Sequence, residues 1–131
     1  MNSDLKDQRP FSLKKLLKSF RYAGQGIREA VKHEQNFRIH LMFSAVVISA
    51  GLILRVSAWE WIVILMLIGG MLSLELINTA VERVVDLVTE NYHPLAKAAK
   101  DVSASAVLVY SILSVVVGLI IFLPRILAFF M

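Results

Sequence analysis

SLELINTAVERVVD, residues 73–86, is the stretch on which the fold turns. Its apolar and polar positions recur at helical spacing. At about 100° per residue, Glu75, Asn78, Glu82 and Asp86 project within roughly 80° of one another. The residues before it, WIVILMLIGGML, carry no charge. The same helix therefore enters from hydrocarbon and carries a carboxylate at or below the headgroup level. An acid at such depth costs about 2.5–3.5 kcal/mol on insertion scales and marks a functional position by default. One polar residue there is ordinary interhelical glue. Four on one face, spread along about 16 Å of helix axis, read as a site.

Working outward, composition agrees with a membrane protein. Of 131 residues 57% are hydrophobic and 18% charged, and the mean hydropathy is +0.68. A soluble domain of this size carries more charge and shorter apolar runs. The net charge is +4, and nine of the fourteen Lys and Arg precede residue 39. That placement favours an anionic membrane surface over nucleic acid. Cysteine is absent, so neither disulfides nor thiol chemistry is available. No cleavable signal peptide is expected, because the start is polar and no apolar region with a cleavage site follows.

Upstream, residues 1–10 are polar and end in Pro10, which predicts a mobile tail. Ser12 is placed to cap a helix over 12–33. In it Leu13, Leu16, Leu17, Phe20, Ile27 and Val31 alternate with Lys14, Lys15, Lys18, Arg21, Arg28 and Lys32. This is the pattern of a basic amphipathic helix lying in the cytoplasmic interface. A first span is expected over 37–54, with Arg38 and His40 at its cytoplasmic mouth. A Trp-bearing link follows, then a second span over 61–86. After the turn TENYHP, Pro94 suits a first helical position. A third span, 95–123, is expected to end at Pro124. Basic residues in the N-terminal segment and second loop put the N-terminus in the cytoplasm and the C-terminus outside. The whole, 1–131, reads as one all-α membrane domain.

The polar inventory at the cytoplasmic ends is Glu34, Glu75, Glu82, Asp86 and Asp101, with Lys97, Lys100, His93, Asn78 and Tyr22. One or two carboxylates suit Mg²⁺ when substrate phosphates complete its shell. A lysine beside such an ion suits a polyphosphate, and a carboxylate at membrane depth suits a lipid hydroxyl's proton. Phosphoryl transfer to a lipid uses all of these. Plainer readings stand beside it. Lys97 and Lys100 can snorkel from the start of a span, Asp86 can be a solvated helix end, and His93 can be a turn residue. His40 fits either reading. Arg28 and Arg38 suit lipid headgroups. A non-enzymatic pore whose water path is lined by the acidic face is the rival from another class.

ELINTAVERVVD followed by HPLAKAAKD resembles the signature of the small bacterial integral-membrane lipid kinases, the diacylglycerol and undecaprenol kinases. RYAGQGIREAVKHEQNFR resembles that family's surface helix, so the likeness runs from about Leu13 to Pro124. The resemblance implies a homotrimer with three membrane helices per subunit and active sites between subunits, in a bacterial cell membrane. It implies Glu75 as the base on the lipid hydroxyl, and Glu34 and Glu82 as ligands of the Mg²⁺ on ATP. Asn78 would support them. Lys100, Asp101, Asn91, Tyr92, His93 and Tyr22 would meet the nucleotide, and Arg28, Arg38 and Glu75 the lipid. Where proteobacterial members have Gly-Ser, Ser103-Ala104 stands after Val102, a departure at lipid-facing positions. EWIVILMLIGGMLSLELINTAVE and the IIFLP tail look more like the Gram-positive undecaprenol kinases, so undecaprenol is the expected acceptor and diacylglycerol the alternative.

Overall fold

The computed structural model describes residues 12–131, and the expected mobile tail over 1–10 lies outside the described residues. Four α-helices follow in order: α1 Leu13–His33, α2 Gln35–Ile53, α3 Ala58–Val88 and α4 Pro94–Phe130. Three of them, α2 to α4, are long and apolar enough to cross a membrane. Helix α3 is the centre of the arrangement, because α1, α2 and α4 all pack against it. Its sequence explains this. It alone carries buried polar side chains, and it has more of its spanning stretch buried than α2 or α4.

Ser12 occupies the N-cap position of α1, but its hydroxyl makes no capping bond. The expectation that it caps the helix is corrected: only its carbonyl is used, accepting from Leu16 N–H at 3.1 Å. Glu34 alone separates α1 from α2, with φ −100° and ψ 113°. One extended residue between two helices makes a sharp corner. The Arg38 guanidinium closes it by donating to the carbonyls of Lys32 (2.9 Å) and Val31 (3.3 Å). Arg38, expected at lipid headgroups, thus satisfies carbonyls that the end of α1 leaves free.

The corner between α2 and α3 takes four residues, Leu54 to Ser57. Arg55 takes a positive φ of 51°, Val56 N–H reaches back to Gly51 O at 3.1 Å, and the Val56 side chain is buried against Ile64 and Ile121. This is the helix-ending turn that normally calls for glycine. The arginine there costs on the order of 1 kcal/mol, offset by burying Val56. Ser57 and Glu60 then form a reciprocal cap that starts α3 at Ala58, three residues ahead of the expected Trp61. Glu60 also receives both guanidinium nitrogens of Arg125 at 2.6 Å, fastening α4 to this end of α3.

Helix α4 does not stop at Pro124, as expected, but runs on to Phe130. Proline removes one N–H and crowds the preceding turn, and membrane helices tolerate it where nearby groups take up the freed backbone atoms. The Arg125 guanidinium lies against this turn and donates to Ile121 O at 3.1 Å, next to the Ile120 carbonyl that Pro124 leaves without its N–H. Midway along α4, Tyr110 donates its hydroxyl to Met66 O of α3 at 3.1 Å. It lies over Gly70, where a Cβ would collide with the phenol. That glycine lets α3 and α4 approach.

Candidate functional site

Three polar side chains of α3 are buried: Glu75 (3% exposed), Asn78 and Thr79. Asn78 donates its amide N–H to Glu82 Oε1 at 3.0 Å, an i,i+4 pair that fixes both side chains. The other end of the amide is unsatisfied: Asn78 Oδ1 is buried and has no partner among the described residues. A buried acceptor left open is costly, and this oxygen lies beside Glu82 on the same helix face. The charged or titratable groups acting on the Glu75 carboxylate are His40 of α2, Glu82 of α3 and Glu34 of the α1–α2 corner. Glu75 and Glu82 lie on one face of α3, and Glu34 of the α1–α2 corner reaches the same helix through Arg83.

Glu34 is there because of the corner it forms. With α1 ending and α2 starting on either side of it, its side chain turns towards α3. There Arg83 Nη2 donates to Glu34 Oε1 at 3.0 Å. The same guanidinium stands 3.8 Å from Glu29, which in turn is 3.6 Å from His33. A cleft of about 420 Å³ opens between α1 and α3, walled by the small residues Ala23, Gly26, Thr79 and Ala80 with Glu29 and Arg83 among its lining. A second, apolar groove of about 470 Å³ runs between α2, α3 and α4, from His40 and Met71 to Phe122.

The remaining expected residues are placed elsewhere on the chain. Asn91 and Tyr92 lie exposed in the turn between α3 and α4. Thr89 Oγ1 tightens that turn by accepting from Asn91 N–H at 3.2 Å. His93 caps α4, its Nδ1 accepting from Leu95 N–H at 3.2 Å, with Pro94 in the first helical position. Lys100 and Asp101 are not partners. Lys100 pairs with Asp86 of α3 at 2.5 Å, and Asp101 pairs with Lys97 one turn back. Tyr22 and Arg28 are exposed on α1. Among the described residues, no hydrogen bond or ion pair joins any of these to Glu34, Glu75 or Glu82. The Lys100–Asp86 pair does link the start of α4 to the end of the acidic helix, one turn beyond Glu82.

Two members of the cluster carry no role in the reading of the sequence, Arg83 and Glu29. The i,i+4 spacing of Glu29 and His33 is a faint signal. Nothing in the spacing of Arg83 points to a partner 49 residues away. Among the described residues, no three acidic, histidine or cysteine side chains converge as a ready metal cage. The donors do fit Mg²⁺ shared with phosphates, since that ion takes one or two carboxylates and keeps the rest of its shell for substrate and water. Glu34, Glu82 and the open Asn78 oxygen are hard oxygen donors of that kind.

The chain is similar to known proteins over most of its length. The description "Prokaryotic diacylglycerol kinase" fits residues 21–122. An undecaprenol kinase of Bacillus subtilis is 49% identical over 122 residues, covering 93% of this chain and 98% of that protein. A diacylglycerol kinase of Synechocystis is 45% identical over 86% of this chain and 65% of that protein. A diacylglycerol kinase of Escherichia coli K12 is 32% identical over 78% of this chain and 84% of that one. A buried acid on a membrane helix, beside an amide-held second carboxylate, suits the chemistry those names describe, and the rival reading as a pore falls. The chain belongs to the prokaryotic diacylglycerol kinase family and is a membrane lipid kinase.

Proposed function

We propose that the protein transfers the γ-phosphate of ATP to the hydroxyl of undecaprenol. The observation that carries the reading is the buried Glu75 on a membrane-spanning helix beside the Asn78–Glu82 pair. Glu75 accepts the hydroxyl proton as the lipid oxygen attacks the γ-phosphorus, the P–O bond to ADP breaks, and ADP leaves. General-base help of this kind contributes about 10²–10⁴-fold. Burial keeps water from competing as acceptor. Glu34 and Glu82 hold Mg²⁺, which when bound offsets the negative charge of the phosphates. Asn78 keeps Glu82 from turning away. Lys100, Asp101, Asn91, Tyr92, His93 and Tyr22 contact the nucleotide, and Arg28 and Arg38 lie at the headgroup level with the lipid.

In this reading the site faces the cytoplasm of a bacterial cell, where ATP is. Helix α1 lies in the inner interface with Leu13, Leu16, Leu17 and Phe20, all exposed in the single chain, turned to the lipid. Homotrimeric assembly brings the nucleotide-contacting residues of α4 in one subunit to the acidic face of another.

The similarity to the Bacillus subtilis protein supports undecaprenol as acceptor. The diacylglycerol kinases among the relatives support diacylglycerol as the second reading. A prenol has almost no headgroup to recognise. A site built to hydrogen-bond a glycerol ester rejects a lipid that lacks it, because its own polar atoms are left unpaired. The hydroxyls of Ser105, Ser111 and Ser114 all donate to carbonyls of their own helix, leaving few donors to read an ester. Both lipids at equal mole fraction in mixed micelles decide the matter. Undecaprenyl phosphate is expected at a rate equal to or above that of phosphatidic acid. A tenfold excess of phosphatidic acid, about 1.4 kcal/mol in the barrier, replaces the first reading with the second.

A further inference from the structure

We propose that Arg83 stands in for the metal ion: its guanidinium holds Glu34 in the nucleotide-free protein and yields it when Mg²⁺ arrives on ATP, turning then to the phosphates. The inference rests on the reading of Glu34 and Glu82 as the metal-holding pair. Of that pair, Glu82 is held by the Asn78 amide, and Glu34 alone already has a cation on one oxygen, Arg83 Nη2 at 3.0 Å. Glu29, at 3.8 Å from the other nitrogen, keeps the guanidinium over the cleft between α1 and α3. The side chain of Arg83 is half exposed, so the pair is weak enough to open.

A guanidinium and a divalent ion compete for the same carboxylate oxygen. Free Mg²⁺ is the poorer competitor, since it sheds water reluctantly and prefers phosphate oxygens beside one or two carboxylates. Mg²⁺ bound to ATP gains twice. It brings its own phosphate ligands, and the displaced guanidinium fork, planar and always charged, matches those phosphates. By reciprocity of coupled equilibria, the Arg83–Glu34 pair weakens binding of the bare ion and favours its entry with the nucleotide. Arg83 is thus a positioning residue, acting through Glu34 until the nucleotide is in place.

Paramagnetic resonance of free Mn²⁺ over the solubilised full-length protein tests this without turnover. Arg83→Gln should bind nucleotide-free Mn²⁺ about fivefold more tightly than the wild type, while its KM for Mg-ATP rises by more than its kcat falls. Arg83→Lys keeps the charge but not the fork, and should raise the KM for Mg-ATP with a smaller gain in Mn²⁺ affinity. Should Arg83→Gln fail to insert, the lysine variant carries the test alone, and wild-type values for both quantities refute the proposal. Unchanged or weaker Mn²⁺ binding by Arg83→Gln does the same. Glu82→Gln separates this from the underlying reading: if that change leaves Mn²⁺ binding intact, the metal pair itself is misassigned. If Glu82→Gln weakens binding and Arg83→Gln does not strengthen it, only the role of Arg83 falls.

Discussion

Glu75 and Glu82 lie two turns apart on α3, and their surroundings assign them different work. Glu75 is buried, whereas Glu82 is held by the Asn78 amide. Replacing each by glutamine keeps shape and removes charge. Glu75→Gln should retain nucleotide binding and lose transfer by about 10²–10⁴-fold. Glu82→Gln still offers an oxygen to Asn78, so the helix face should persist, and the loss should appear as weakened Mg-ATP binding. Nucleotide titration and single-turnover phosphorylation on the same preparations separate the two. Equal loss of nucleotide affinity in both variants would overturn the division of labour. The acidic face was legible at this scale because a 3.6-residue period turns spacing into direction. Arg83 was not, because its partner is set by the corner at Glu34 and not by its neighbours in sequence.

Between elements, α3 and α4 depend on one small residue. Gly70 faces the Tyr110 hydroxyl, which is already spent on Met66 O. Within a membrane, helices gain little from hydrophobicity and much from close packing of small residues. Gly70→Ala should therefore destabilise the protein by about 1–3 kcal/mol through overpacking, even though alanine is the better helix former. The cost should shrink in a Tyr110→Leu background, a coupling that a double-mutant cycle measures by thermal unfolding in detergent. Additive effects would mean that the two side chains do not meet. Gly51 plays a similar part against Trp61, whose ring lies 2.8 Å from where a Cβ would stand. Element types were plain in the sequence and their ends less so. Pro124 reads as a stop, yet α4 passes through it with the Arg125 side chain bonded to the preceding turn.

For the whole molecule, the distribution of charge sets orientation. Nine basic residues precede position 39 and only Arg55 lies in the link between α2 and α3, so the corner at Ser57 should be outside and the turn at Asn91 inside. In intact cells, Ser57→Cys should react with an impermeant thiol reagent and Asn91→Cys should not; the chain's lack of native cysteine makes the result unambiguous. Labelling of the opposite pattern would place Glu34, Glu82 and Lys100 on the side without ATP, and the proposed kinase site would fail with it. With the expected labelling, the Glu60–Arg125 pair, which fastens α4 to α3, would stand at the outer end of the bundle.

The sequence by itself determined the helical character, the three apolar spans and the face that gathers Glu75, Asn78 and Glu82. Each of these follows from local periodicity and from the cost of polar groups in hydrocarbon, which act over a few turns of one helix. It determined the family as well, through motifs contiguous in the chain. Tertiary structure alone decided that Glu34 comes to α3 on the guanidinium of Arg83. It alone decided that Lys100 pairs with Asp86 while Asp101 pairs with Lys97, and that Arg38 closes a corner. The reason is physical. A long charged side chain has several partners within reach of its spacing, and which one it takes depends on where separate helices lie after they pack.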